Sequence, residues 1–146
     1  MLSATVIALL AGAAADGASE AVCPFLTVDP DGFPRVCLLS RSEIFADRST
    51  VGCVFRSRRT KANLQRDGRA TLIVVGATST YYCRLAARRL LSDETGALAV
   101  EFSVEAEEVD TLHILLHPMT FEVTPELRLE ERWEHDRALL RRLQCS

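Results

Sequence analysis

The chain has 146 residues, 48% of them apolar and 25% charged, with a formal net charge of −3. That length suits one domain with one core, and the composition excludes a disordered or fibrous chain. The acidic balance argues against general nucleic-acid binding, which needs a basic surface; no nucleic-acid partner is expected.

The first 21 residues are rich in Ala and Leu and carry no Lys or Arg. They look superficially like a secretory signal but lack its positive start, and the apolar run is too short to span a bilayer. A helix over about 2–15, packed on the domain, is the expectation, with a signal peptide as the alternative. Residues 22–28 and 33–39 are apolar runs joined by Asp29-Pro30-Asp31-Gly32. Proline presets the first turn dihedral and glycine supplies positive φ, so this reads as a hairpin. Pro34 stands beside the turn, where a missing donor costs least. Residues 42–56 form a further β region whose clearest strand begins at Val51.

Residues 60–66 read as a short helix, stopped by Asp67-Gly68, and 70–75 as a β-branched strand. Residues 81–91 would suit a helix on composition, but their neighbours favour a long strand. A turn at 92–96 leads to clean alternation. Leu98, Val100, Phe102, Val104 and Ala106 fall on one face and Glu101, Ser103 and Glu105 on the other; period two marks a half-buried strand. A strand at 119–123 and a helix at about 126–143 complete the chain. Leu129, Trp133, Leu140 and Leu143 lie near one face of that helix. A barrel over about 22–124 with a helix at each end makes one domain of 1–146.

The five cysteines form no C-x-x-C pair, and Cys23, Cys37, Cys53 and Cys83 lie in apolar, strand-like runs. They read as reduced core thiols of a cytoplasmic protein, not as a disulfide or zinc framework. His113 and His117 precede Pro118 and belong to a loop or strand end; no metal site is expected.

Arg56, Arg58, Arg59 and Lys61 fall within six positions, interleaved with Ser57 and Thr60. A hydroxyl that caps a helix start, with cations beside free N–H groups, makes an anion site, and phosphate is the usual anion. A capped, solvated turn is the other reading.

Two segments carry a family resemblance. Thr27-Val28-Asp29, with Asp31-Gly32-Phe33-Pro34-Arg35-Val36, precedes Arg59-Thr60-Lys61-Ala62-Asn63-Leu64-Gln65-Arg66-Asp67-Gly68-Arg69-Ala70. In this order and separation they resemble the pyridoxamine 5'-phosphate oxidase-like FMN-binding split barrels. The resemblance implies a mainly β fold with flanking helices, a six-stranded antiparallel Greek-key split barrel. It also implies a homodimer with FMN in a cleft between subunits, and no membrane. Its phosphate grip falls on Arg35, Ser57, Arg58, Thr60 and Lys61. The isoalloxazine falls along strand backbone near Val36, Cys37, Leu38, Phe55 and Arg56. The resemblance implies an oxidoreductase acting on a small molecule, with FMN ahead of a deazaflavin or haem; the alternatives are a non-catalytic flavin- or haem-binding or sensing protein of the same fold, or a degenerate dimer without cofactor. Ser40 stands where oxidases proper carry a lysine, and their arginine-rich C-terminal signature is not recognisable, so a typical pyridoxamine-phosphate oxidase is not expected.

Overall fold

Alternating apolar residues, interrupted by turn-forming Asp and Gly, build the middle of this chain into antiparallel sheet. The computed structural model describes residues 1–12 and 17–145. In chain order the elements are α1 (Ala4–Leu10), β1 (Ser19–Ala21), β2 (Cys23–Val28), β3 (Pro34–Leu39), a 3-10 turn (Arg41–Glu43), β4 (Ile44–Ala46) and β5 (Thr50–Phe55). Then come α2 (Arg58–Arg66), β6 (Arg69–Val75), β7 (Ser79–Ser92), β8 (Leu98–Thr111), β9 (Thr120–Glu122), α3 (Pro125–Glu131) and α4 (Trp133–Cys145).

The main sheet runs β3-β2-β6-β7-β8-β5-β4, and β1 pairs with β9 in a separate ribbon. The fold is a mainly β split barrel, with seven strands in its sheet where six are expected. The additional one is β4. Asp47 Oδ1 accepts from the Ser49 and Thr50 amides at 3.0 and 2.8 Å, and this Asx turn folds β4 back onto β5. The region at 42–56 is therefore two strands.

Curvature closes the core. Strands β2 and β5 are separated in the sheet by β6, β7 and β8, yet Phe25 and Phe55 have ring centroids 4.7 Å apart. Phe102 completes the cluster, 5.6 Å from Phe25 and 6.3 Å from Phe55. Leu2, Val6 and Leu10 bury one stripe of the N-terminal segment in the same core. Helix α1 is shorter than the sequence suggests, because Ala11 is already extended; residues 13–16 of the expected helix lie outside the described residues.

On the reverse of β5 and β8, Leu139, Leu140 and Leu143 of α4 cover Val54, Ala97 and Ala99. Two covered faces explain why β5 reads as a continuous apolar run. Gly52 fits here because an added Cβ would sit 3.3 Å from Leu140 Cδ2. The single helix expected at 126–143 is two. Arg132 adopts φ 57°, ψ 42°, which turns the chain and leaves Leu129 75% exposed while Trp133 is buried. Among the described residues no helix is long and apolar enough to cross a membrane.

Candidate functional site

Helix α2 begins where β5 leaves the core. Ser57 is its N-cap, with Oγ accepting from the Thr60 amide at 3.4 Å. The first-turn amides of Arg58 and Arg59 have no intrahelical acceptor. The side chains of Arg58 and Arg59 are exposed, and Thr60 is buried with no hydrogen-bond partner on Oγ1. Lys61 Nζ donates to the Gly96 carbonyl at 2.6 Å, in the turn between β7 and β8. A depression of about 310 Å³ lies here, walled by Arg58, Lys61, Gln65, Ser92 and Gly96.

The far end of α2 is tied to the hairpin. Buried Asn63 donates to Thr27 Oγ1 at 3.0 Å and to Asp29 Oδ1 at 2.9 Å. Arg35 Nε donates to the same carboxylate at 3.0 Å, and Arg66 donates to the Asn63 side chain at 2.9 Å. Arg35, and after it Asn63, hold the Asp29 carboxyl below its ordinary range. A second depression, of about 440 Å³, is lined by Asp29, Asp31, Arg59 and Asn63. The basic residues of the sequence motif thus divide: Arg35 is engaged by Asp29, Lys61 by Gly96.

The residues expected along the ring divide too. Val36 and Leu38 project from edge strand β3 with 54% and 53% of their surfaces exposed. Cys37 points inward, half-buried, its thiol pushed up to about 11 by burial. Phe55 is a core residue. Arg56 faces α4, with Nη1 2.7 Å from Asp136 Oδ1. The Asp136 carboxylate is fully buried, and Arg56 is its ion-pair partner. Burial raises the Asp136 carboxyl, and Arg56 offsets part of the rise. His113 and His117 are exposed on the loop after β8. All five cysteines are free thiols, and burial raises Cys23 to about 11 and Cys83 to about 12.

Asp29 and Asn63 lie inside the motif segments but receive no role there, and Asp136 lies outside them. Asn63 carried a signal: it stands three residues after Thr60 and one before Leu64, on the face that α2 buries. Asp136 carried none, since its partner Arg56 is 80 positions away and only the packing of α4 on β5 joins them.

No family model and no curated protein matches the chain. Solved structures do. The flavin reductase of the styrene monooxygenase from Pseudomonas putida S12 is 11% identical with a TM-score of 0.55, over 71% of this chain and 87% of that one. An FMN-binding protein from Syntrophomonas wolfei is 13% identical with a TM-score of 0.52, over 62% and 77%. A proposed pyridoxamine 5'-phosphate oxidase from Lactobacillus delbrueckii is 18% identical with a TM-score of 0.51, over 62% and 84%. At such identities the likeness is one of fold: the chain shares the split-barrel fold of these structures.

Proposed function

We propose that this protein is an FMN-binding flavoprotein, an oxidoreductase acting on a small molecule, working as a homodimer. The observation that carries the reading is the start of α2: a Ser57 cap, free first-turn amides, and Arg58 and Lys61 lining one depression. A phosphate dianion needs several donors and cations at once to offset its desolvation. The donor set suits that group. Arg58 and Lys61 would meet the phosphate, with Lys61 turning from Gly96 to do so, and the Ser57 hydroxyl and the Arg58 and Arg59 amides would complete the cradle. Arg35, already paired with Asp29, is assigned to orienting the hairpin against α2. When bound, the isoalloxazine supplies the electron transfer; the protein supplies position and electrostatics. The fold likeness to a flavin reductase and an FMN-binding protein supports the same reading.

The absorption spectrum of purified protein, before and after adding FMN, tests this. A bound flavin spectrum is expected, with Lys61→Ala and Arg58→Ala each weakening FMN by about 1–3 kcal/mol, the range for a charge-assisted hydrogen bond. A Soret band instead would identify haem, and a protein that takes up no flavin would overturn the proposal.

A further inference from the structure

A second cavity lies away from α2, between β3, the 3-10 turn, β9 and the junction of α3 and α4. Its volume is about 350 Å³, at the lower end of the range for small-molecule sites. Leu39, Phe121 and Trp133 supply apolar wall, and Glu43, Glu131 and Ser40 supply its polar groups. Among the described residues, no lysine, arginine or histidine lines it.

The backbone brings these groups together in a specific way. In a continuous helix, residues two apart point to nearly opposite sides. Arg132, at φ 57°, is the one non-glycine residue with positive φ among those described. It reverses the chain so that Glu131, the last residue of α3, and Trp133, the first of α4, line one cavity. Trp133 is 5% exposed, and its Nε1 is buried with no hydrogen-bond partner. Across the cavity, Glu43 is fixed by the Ser40 amide and hydroxyl at 3.0 and 3.1 Å. Both of those bonds go to Oε1, which leaves Oε2 available. The nearby buried Asp136 is already matched with Arg56. Burial, with Asp136 and Glu131 adding to it, pushes the Glu43 carboxyl up to about 7.

We infer that this cavity binds a small organic cation, an ammonium with an apolar body and a nearby hydrogen-bond acceptor. Glu43 and Glu131 would pair with the ammonium, the rings of Trp133 and Phe121 would face the apolar body and the charge, and Trp133 Nε1 would donate to the acceptor. An ammonium would stabilise the ionised form of Glu43, whereas an anionic ligand would be repelled by Glu131 and by ionised Glu43. No residue of the phosphate cradle lines this cavity, although Leu38, which the resemblance places along the flavin ring, forms part of its wall.

Trp133 is the only tryptophan in the chain, so its emission reports on the site directly. The probes are 2-(cyclohexyloxy)ethylamine, 2-(cyclohexyloxy)ethanol and cyclohexyloxyacetate, which share a body and an ether oxygen and differ in charge. The amine should shift Trp133 emission saturably, the alcohol should bind at least tenfold more weakly, and the acid should not bind. Glu43→Gln keeps an acceptor for the Ser40 cap, and Glu131→Gln alters an exposed side chain. Each should weaken the amine about fivefold or more and leave the alcohol unchanged, with thermal melts showing that both variants fold. Equal binding of amine and alcohol, tighter binding of the acid, no saturable response, or amine affinity unchanged in both variants would overturn the inference.

Discussion

Glu43 and Asp136 are carboxyls held where burial disfavours their charge, and each has a measurable consequence. The folded-state value for Glu43 is about 7, above its ordinary 4.5. Between those values the native state holds more protons than the unfolded chain, so the Glu43 contribution to stability falls as pH rises through that window. Urea unfolding should therefore show Glu43→Gln gaining about 1–3 kcal/mol over the parent protein between pH 4.5 and pH 8. Parallel pH profiles would mean that Glu43 is well solvated. Asp136 is ion-paired with Arg56. Arg56→Ala should destabilise the fold by about 3 kcal/mol, since it strands a buried carboxylate. A loss under about 1 kcal/mol would show that water reaches Asp136.

At the scale of elements, α3 and α4 meet at a residue with no conformational reason of its own to turn. Arginine favours helix, and its left-handed conformation costs about 1–2 kcal/mol relative to the right-handed one. Arg132→Gly should raise stability by about 0.5–1 kcal/mol, after the added freedom of the unfolded chain offsets part of the relief. A loss of stability on chemical denaturation would mean that the Arg132 side chain itself matters. The break was illegible in sequence for the same reason: tertiary packing of Trp133 against Phe121 and Val123 chooses it. By contrast, the hairpin at 29–32 and the alternation from Leu98 were legible, because turn dihedrals and period two are local properties. The Asx turn at Asp47 was not, and one β region became two strands. The candidate site was legible in part. A hydroxyl at the helix start beside Lys61 follows from spacing, but α2 begins at Arg58, two residues earlier than the sequence suggests, which makes Ser57 the cap; the ties of Arg35 to Asp29 and of Lys61 to Gly96 depend on how the hairpin and the β7–β8 turn pack on α2. Asn63, which joins α2 to Thr27 and Asp29, should cost about 2 kcal/mol on replacement by Ala, since two hydroxyl and carboxylate contacts are lost together.

The whole molecule presents an edge that calls for a partner. Val36 and Leu38 project side by side from β3, an edge strand, and pair across to Leu26 and Pro24 of β2. An apolar edge of this kind is a liability in a monomer, and a second copy covering it accords with the proposed dimer. Light scattering should give a dimer, and Val36→Glu combined with Leu38→Glu should give a folded monomer; a parent protein that is monomeric at micromolar concentration would contradict this. The flavin proposal itself rests on the phosphate, and riboflavin is FMN without it. Calorimetric titration of both ligands into the same protein therefore isolates the α2 cradle from every other contact the flavin makes. FMN should bind at least tenfold more tightly than riboflavin, and Lys61→Ala should narrow the gap by weakening FMN alone; equal affinity for the two ligands in the parent protein would contradict a phosphate site at the start of α2.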